Sequence, residues 1–182
     1  MSLHKPSVLD GSDTKERVDR PGGCGRYLVL GYGNPGREDD GLGPTAAAAI
    51  EADGWANVTV LSNYQLVPED VFEIANADVV WFVDASRSGG EPFEVIALPP
   101  SDAISFASHS ATPQELLALT AQYFGRRPKA HMLAIRGYRF AFREGLSGRA
   151  GRNLEQALVF LRRSIGGVDE ALRLHHTPKE AE

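Results

Sequence analysis

The chain has 182 residues, with 19 Lys plus Arg against 24 Asp plus Glu and a formal net charge of -5. This length suits one domain that buries roughly two-thirds of its unfolded surface, and the acidic balance argues against a nucleic-acid footprint or an anionic-membrane surface. No apolar run approaches the roughly 20 residues of a spanning helix.

Residues 1–25 carry Lys5, Asp10, Asp13, Lys15, Glu16, Arg17, Asp19 and Arg20 without an apolar core of a secretory signal, and the lone Cys24 has no partner for an intramolecular disulfide. A cytoplasmic protein is expected. Residues 1–25 and 167–182 read as mobile tails around a single α/β domain at 26–166.

Tyr27-Leu28-Val29-Leu30 is apolar throughout, the pattern of a parallel strand covered on both faces. The run from Gly31 to Gly43 follows it directly and contains the adjacent acids Asp39 and Asp40. Pro44 then suits the first turn of an alanine-rich helix ending near Glu51. Val58–Leu61 reads as a second strand, Asn63–Val67 as a loop, and Pro68-Glu69 as the start of a helix reaching about Asn76. Val79–Val83 is the strongest strand pattern and ends in Asp84.

Ser88-Gly89-Gly90 leads into Phe93–Leu98 over too few residues for a crossover, so this strand is expected to be antiparallel and at an edge. Thr112-Pro113-Gln114-Glu115 has the form of a capping box ahead of a helical stripe of Leu116, Leu117, Leu119 and Tyr123, with His109 just before it. Met132–Ile135 supplies a last strand, and Leu154, Leu158, Leu161 and Ile165 mark a closing helix that Ser147 can cap. The expected architecture is a three-layer α/β/α sandwich around a mostly parallel five-stranded sheet with one antiparallel edge strand.

Gly31, Gly33 and Gly36 formally match a dinucleotide-binding fingerprint. Three acids at Glu38, Asp39 and Asp40 would repel a pyrophosphate, Pro35 removes a backbone donor, and the second strand ends in Ser62-Asn63 with no acid for a ribose. The same glycines instead allow a tight path that presents Asp40 at the strand tip, with Asn34 bracing the turn. Asp84 leaves the adjacent strand at the same sheet edge, and His109 lies on a loop able to return there. Two carboxylates and one imidazole suit nickel or zinc and leave a coordination position open. Taken singly, Asp39 and Asp40 also read as loop caps, Asp84 as a turn former and His109 as a hydrogen-bonded loop histidine.

The blocks Gly31-x-Gly33-Asn34, Asp39-Asp40-Gly41-x-Gly43, Gln65-Leu66-Val67-Pro68-Glu69, Val83-Asp84-Ala85 and Ser108-His109 resemble, in order, those of the hydrogenase maturation proteases. The resemblance runs from Tyr27 to Ile165. It implies an endopeptidase that removes the C-terminal extension of a nickel-iron hydrogenase large-subunit precursor after nickel insertion. It also implies that Asp40, Asp84 and His109 contact nickel supplied by that precursor and carry out the catalysis, in a monomer with no permanently bound metal. Asn34 and Gln65 either hydrogen-bond the incoming backbone or serve their own loops. Two other readings use the same three residues: a free-standing zinc-dependent peptidase or amidohydrolase, and a non-catalytic chaperone that senses nickel in the hydrogenase subunit. The run Arg136-Gly137-Tyr138-Arg139-Phe140 departs from the segment many members have there. Arg136, Arg139 and Arg143 either face the precursor or form a solvated loop.

Overall fold

The computed structural model describes residues 25–99 and 111–166. The two expected tails (apart from Gly25), Cys24 and His109 lie outside the described residues.

Strands β1 (Tyr27–Tyr32), β2 (Val58–Asn63), β3 (Val79–Ser86), β4 (Phe93–Leu98) and β5 (Lys129–Arg136) alternate with helices α1 (Leu42–Ala52), α2 (Val71–Asn76), α3 (Pro113–Phe124) and α4 (Gly148–Ile165). They form one sheet in the order β2-β1-β3-β5-β4, in which only the β4–β5 pair is antiparallel. The α/β sandwich with an antiparallel edge strand is therefore as expected.

Strand periodicity divides the core into two layers, because successive side chains point to opposite faces. Leu28, Leu30, Val80 and Phe82 pack with Ile74, Leu116 and Leu117 of α2 and α3. Val29, Trp81, Val83, Leu133 and Ile135 face α1 and α4 through Leu42, Ala46, Ile50, Leu154 and Leu161. All of these but Trp81, Leu117 and Leu154 are under 3 % exposed, and each such side chain contributes on the order of 1.5–3 kcal/mol relative to an exposed state.

Several elements run past their expected ends. The strand expected to stop at Val83 continues to Ser86, so Asp84 lies within β3, opposite Ala134, instead of after it. The apolar pattern ends at Val83, but the backbone ladder with β5 continues to Arg136. Helix α1 starts at Leu42, two residues before Pro44, which still sits in the first turn where its missing N–H leaves no bond unmade. A 3-10 turn at Pro68–Asp70 precedes α2, so the helix expected from Pro68 is α-helical only from Val71.

Both expected N-caps are present. Ser147 Oγ accepts from Ala150 N at 3.3 Å at the start of α4. At α3, Thr112 Oγ1 accepts from Glu115 N at 3.2 Å, and Glu115 Oε2 accepts from Thr112 N at 2.7 Å. Thr112→Ala is expected to cost about 1 kcal/mol, read as a lowered midpoint in urea unfolding with unchanged slope.

Candidate functional site

The strand order fixes where a crevice opens. The chain leaves β1 through α1 on one face to reach β2, then passes through α2 on the opposite face to reach β3 on the far side of β1. The connections from the carboxyl ends of β1 and β3 thus diverge, and open α/β sheets bind ligands at such a switch point. Asp40 follows β1 on a 3-10 turn at Glu38–Gly41, and Asp84 is near the carboxyl end of β3.

Gly33 brings the two acids together. Its φ of +134° is in the region that favours glycine, and a Cβ there would collide with the carbonyl of Asp40 and lie 3.7 Å from Asp84 Oδ1. The turn can therefore fold back onto the strand ends. Gly43, in the first turn of α1, makes the same kind of approach: a Cβ would stand 2.5 Å from the Val83 carbonyl oxygen.

Asp40 Oδ2 accepts from Asn34 N at 3.2 Å. Asn34 in turn holds its own loop, with Oδ1 accepting from Gly36 N at 2.9 Å and its carbonyl accepting from Arg37 N at 3.0 Å. This is the bracing role expected from the sequence.

Burial, and the neighbouring Asp40 charge, push the Asp84 carboxyl up to about 6. Hydrogen bonds from Ala85 N, 2.7 Å from Oδ1, and from the Tyr32 hydroxyl offset part of that rise. Burial, together with the Asp84 carboxylate, also pushes the Tyr32 phenol up, so it remains a neutral donor. The hydroxyl lies 3.9 Å from Met132 Sδ as well. Tyr32 was missed in the sequence, where it reads as a spacer between two glycines. Its parity with Leu28 and Leu30 was the available signal, since that puts its ring on the same face as Phe82 and Asp84.

The neighbouring acid, Asp39, has a different task. It is fully buried, and its carboxylate accepts from Tyr138 N (2.7 Å), Arg139 N (2.9 Å), Ser147 N (2.6 Å) and Ser147 Oγ (2.8 Å). Burial acts to raise this carboxyl, but the hydrogen bonds outweigh it and hold the group below the usual range. Glu38 adds to the clamp: its N donates to Arg143 O at 2.7 Å and its Oε2 accepts from Ala141 N at 3.2 Å. Glu38 and Asp39 therefore fix the loop at residues 137–147, whereas Asp40 faces the crevice. Of the acid pair, Asp39 is the structural member.

Gln65 is exposed in the loop after β2. Asp70 secures that loop, accepting from Asn63 Nδ2 and from Val67 N, both at 2.9 Å. Ala111, the first described residue after the segment containing His109, donates its N–H to Leu66 O at 3.3 Å. Among the described residues no three His, Cys, Asp or Glu side chains gather to hold an ion. His131 stacks on Trp81 with ring centroids 4.7 Å apart.

Arg136 sits over the Tyr138 ring at 5.5 Å and influences Glu91 electrostatically. Arg139 and Arg143 are exposed on the loop clamped by Glu38 and Asp39. No helix among the described residues is long and apolar enough to cross a membrane.

No protein-family model matches the chain, and no curated protein matches it. Solved structures do. The chain is similar to the NiFe hydrogenase maturation protease HycI from Thermococcus kodakarensis KOD1 at TM-score 0.60 and 23% identity, over 77% of this chain and 92% of that one. The hydrogenase maturating endopeptidase HybD from E. coli gives TM-score 0.56 and 21% identity, over 83% and 94%. A hydrogenase 2 maturation peptidase from Thaumarchaeota archaeon SCGC_AB-539-E09 gives 0.57 and 16%, over 78% and 99%. The chain resembles hydrogenase maturation proteases, and at these identities the likeness establishes a common fold.

Proposed function

We propose that this protein is the endopeptidase that removes the C-terminal extension of a nickel-iron hydrogenase large-subunit precursor, with Asp40, Asp84 and His109 contacting nickel carried in by the precursor. The observation that supports this reading most directly is the convergence of Asp40 and Asp84 at the switch-point crevice of a fold similar to hydrogenase maturation proteases. Two carboxylates held together repel each other, and a divalent ion between them removes that cost.

Nickel bound by precursor thiolates would take oxygen and nitrogen contacts from these residues only in the complex, so the free enzyme need not retain it. In the cleavage step water adds to the scissile carbonyl carbon, and its proton passes to a carboxylate oxygen of Asp84. That proton then goes to the leaving nitrogen as the C–N bond breaks. Tyr32 holds the Asp84 carboxylate in place, while Asn34 and Gln65 border the path of the incoming backbone.

The test is incubation with purified precursor, nickel-loaded or nickel-free, followed by intact-mass measurement. A shortened product is expected with the nickel-loaded precursor alone. An unshortened precursor in both arms, or equal cutting in both, would refute the reading.

A further inference from the structure

A band of four arginines borders the crevice, and two of them lie over aromatic rings. The Arg87 guanidinium lies 4.1 Å above the Phe140 ring, and that of Arg37 lies 4.9 Å above Phe142, which is itself 86% exposed. Arg139 and Arg143 extend from the same loop into solvent. Backbone contacts unite the group, since Arg37 and Arg143 pair as an isolated bridge and Gly137 N donates to Ser86 O at 2.9 Å. Ser86 and Arg136 are paired two residues beyond Asp84 and Ala134, which places this rim about 7 Å farther along the strands.

Among the described residues, no carboxylate forms an ion pair with Arg37, Arg87, Arg139 or Arg143, although other arginines do pair: Arg26 and Arg126 with Asp78, Arg149 with Glu91 and Arg162 with Asp53. Arg37 Nε and Arg136 Nη1 are buried without an acceptor. In a chain of net charge -5, four arginines without an ion pair among the described residues are thus gathered on the segments beside the crevice. The ring contacts restrict Arg37 and Arg87, so less side-chain freedom is lost when an anion docks.

We propose that this rim binds an acidic segment of the protein substrate, with Arg37, Arg87, Arg139 and Arg143 receiving side-chain carboxylates while the substrate backbone enters beside Asp40 and Asp84. Identifying the carboxylate bearer as the substrate rests on the peptidase reading; the carboxylate preference of the rim does not. Charge-assisted, bidentate Arg–carboxylate bonds supply the recognition, and their partial exposure makes it salt-sensitive.

The experiment measures fluorescence anisotropy of a labelled hexaglutamate peptide, a hexaglutamine peptide of equal length and a single-stranded oligonucleotide. The proteins compared are wild type, Arg87→Gln/Arg143→Gln, and the charge-matched control Lys129→Gln/Arg163→Gln, whose positions begin β5 and end α4. Expected results are a preference for hexaglutamate, a loss of about tenfold in the rim variant alone, and weakening between about 50 and 200 mM salt, the range over which the screening length halves. Equal binding of the two peptides, equal loss in the control, or tighter binding of the oligonucleotide would overturn the proposal. A precursor arm separates the two claims. If wild type cuts the nickel-loaded precursor and the rim variant does so with unchanged KM, the rim proposal fails and the peptidase reading stands. If wild type does not cut while the peptide preference holds, the reverse is true.

Discussion

Asp84→Asn is expected to abolish cleavage of the nickel-loaded precursor while making the protein more stable at pH 7, by about 3 kcal/mol. The native carboxyl is raised to about 6 by burial and by Asp40 from an ordinary value of 3.8, and each unit corresponds to about 1.4 kcal/mol. Between about pH 4 and 6 the native state holds this proton more tightly than the unfolded chain does. Unfolding free energy from this group therefore falls as pH rises through that window and is level above it. Asparagine keeps an oxygen for Ala85 N and Tyr32 but carries no charge, so the slope disappears. Urea titrations of metal-free wild type and variant at pH 4, 5, 6 and 7 measure this, and parallel curves would show that Asp84 does not carry the strain assigned to it. Asp40→Ala should likewise eliminate processing. It should also lower the Asp84 carboxyl, because the neighbouring like charge is gone. Full turnover in either variant would remove that residue from the chemistry.

The second large effect is at Asp39, and its sign is opposite. Replacing it by alanine leaves three backbone N–H groups and the Ser147 hydroxyl without their acceptor, at an expected cost of about 3–5 kcal/mol. An asparagine side chain would keep one acceptor oxygen but turn an amide NH2 toward donors, so Asp39→Asn is expected to recover little. Because the native Asp39 carboxyl is held below its usual range, its contribution is present above the unfolded value near 4 and is lost as pH falls through the lower native one. Acid unfolding of Asp39→Asn should therefore depend less steeply on pH below 4 than that of wild type. The structural signature is distinct as well: hydrogen exchange should accelerate at residues 137–147 and at the first turn of α4, with β1 and β3 still protected. Unchanged protection of that loop would contradict its being clamped by Asp39.

These two neighbours show what the sequence could and could not disclose. The apolar runs of β1 and β3 are legible because burial on both faces leaves no polar positions, and the placement of Asp40 and Asp84 at one sheet edge follows from parallel pairing alone. The role of Asp39 was not legible in detail. Its donors lie about 100 residues away on a loop with no periodic pattern, so sequence could offer only a local cap for either acid. The strand ends were misjudged for a related reason: Asp84 is polar, and the ladder that carries β3 past it depends on β5, a partner chosen by tertiary structure. Tyr32 escaped notice because its partner Asp84 is brought near by a strand pairing and not by spacing. The capping residues Thr112 and Ser147 were legible because their bonds span only three positions.

Asp39 and Asp40 are successive residues of a single tight turn, one gripping the distant loop and the other facing the cleft. The two side chains are therefore joined by a single peptide unit. Residues 137–147 thus stand one peptide unit from Asp40 by way of Asp39, so a disturbance of that loop is expected to reach the cleft.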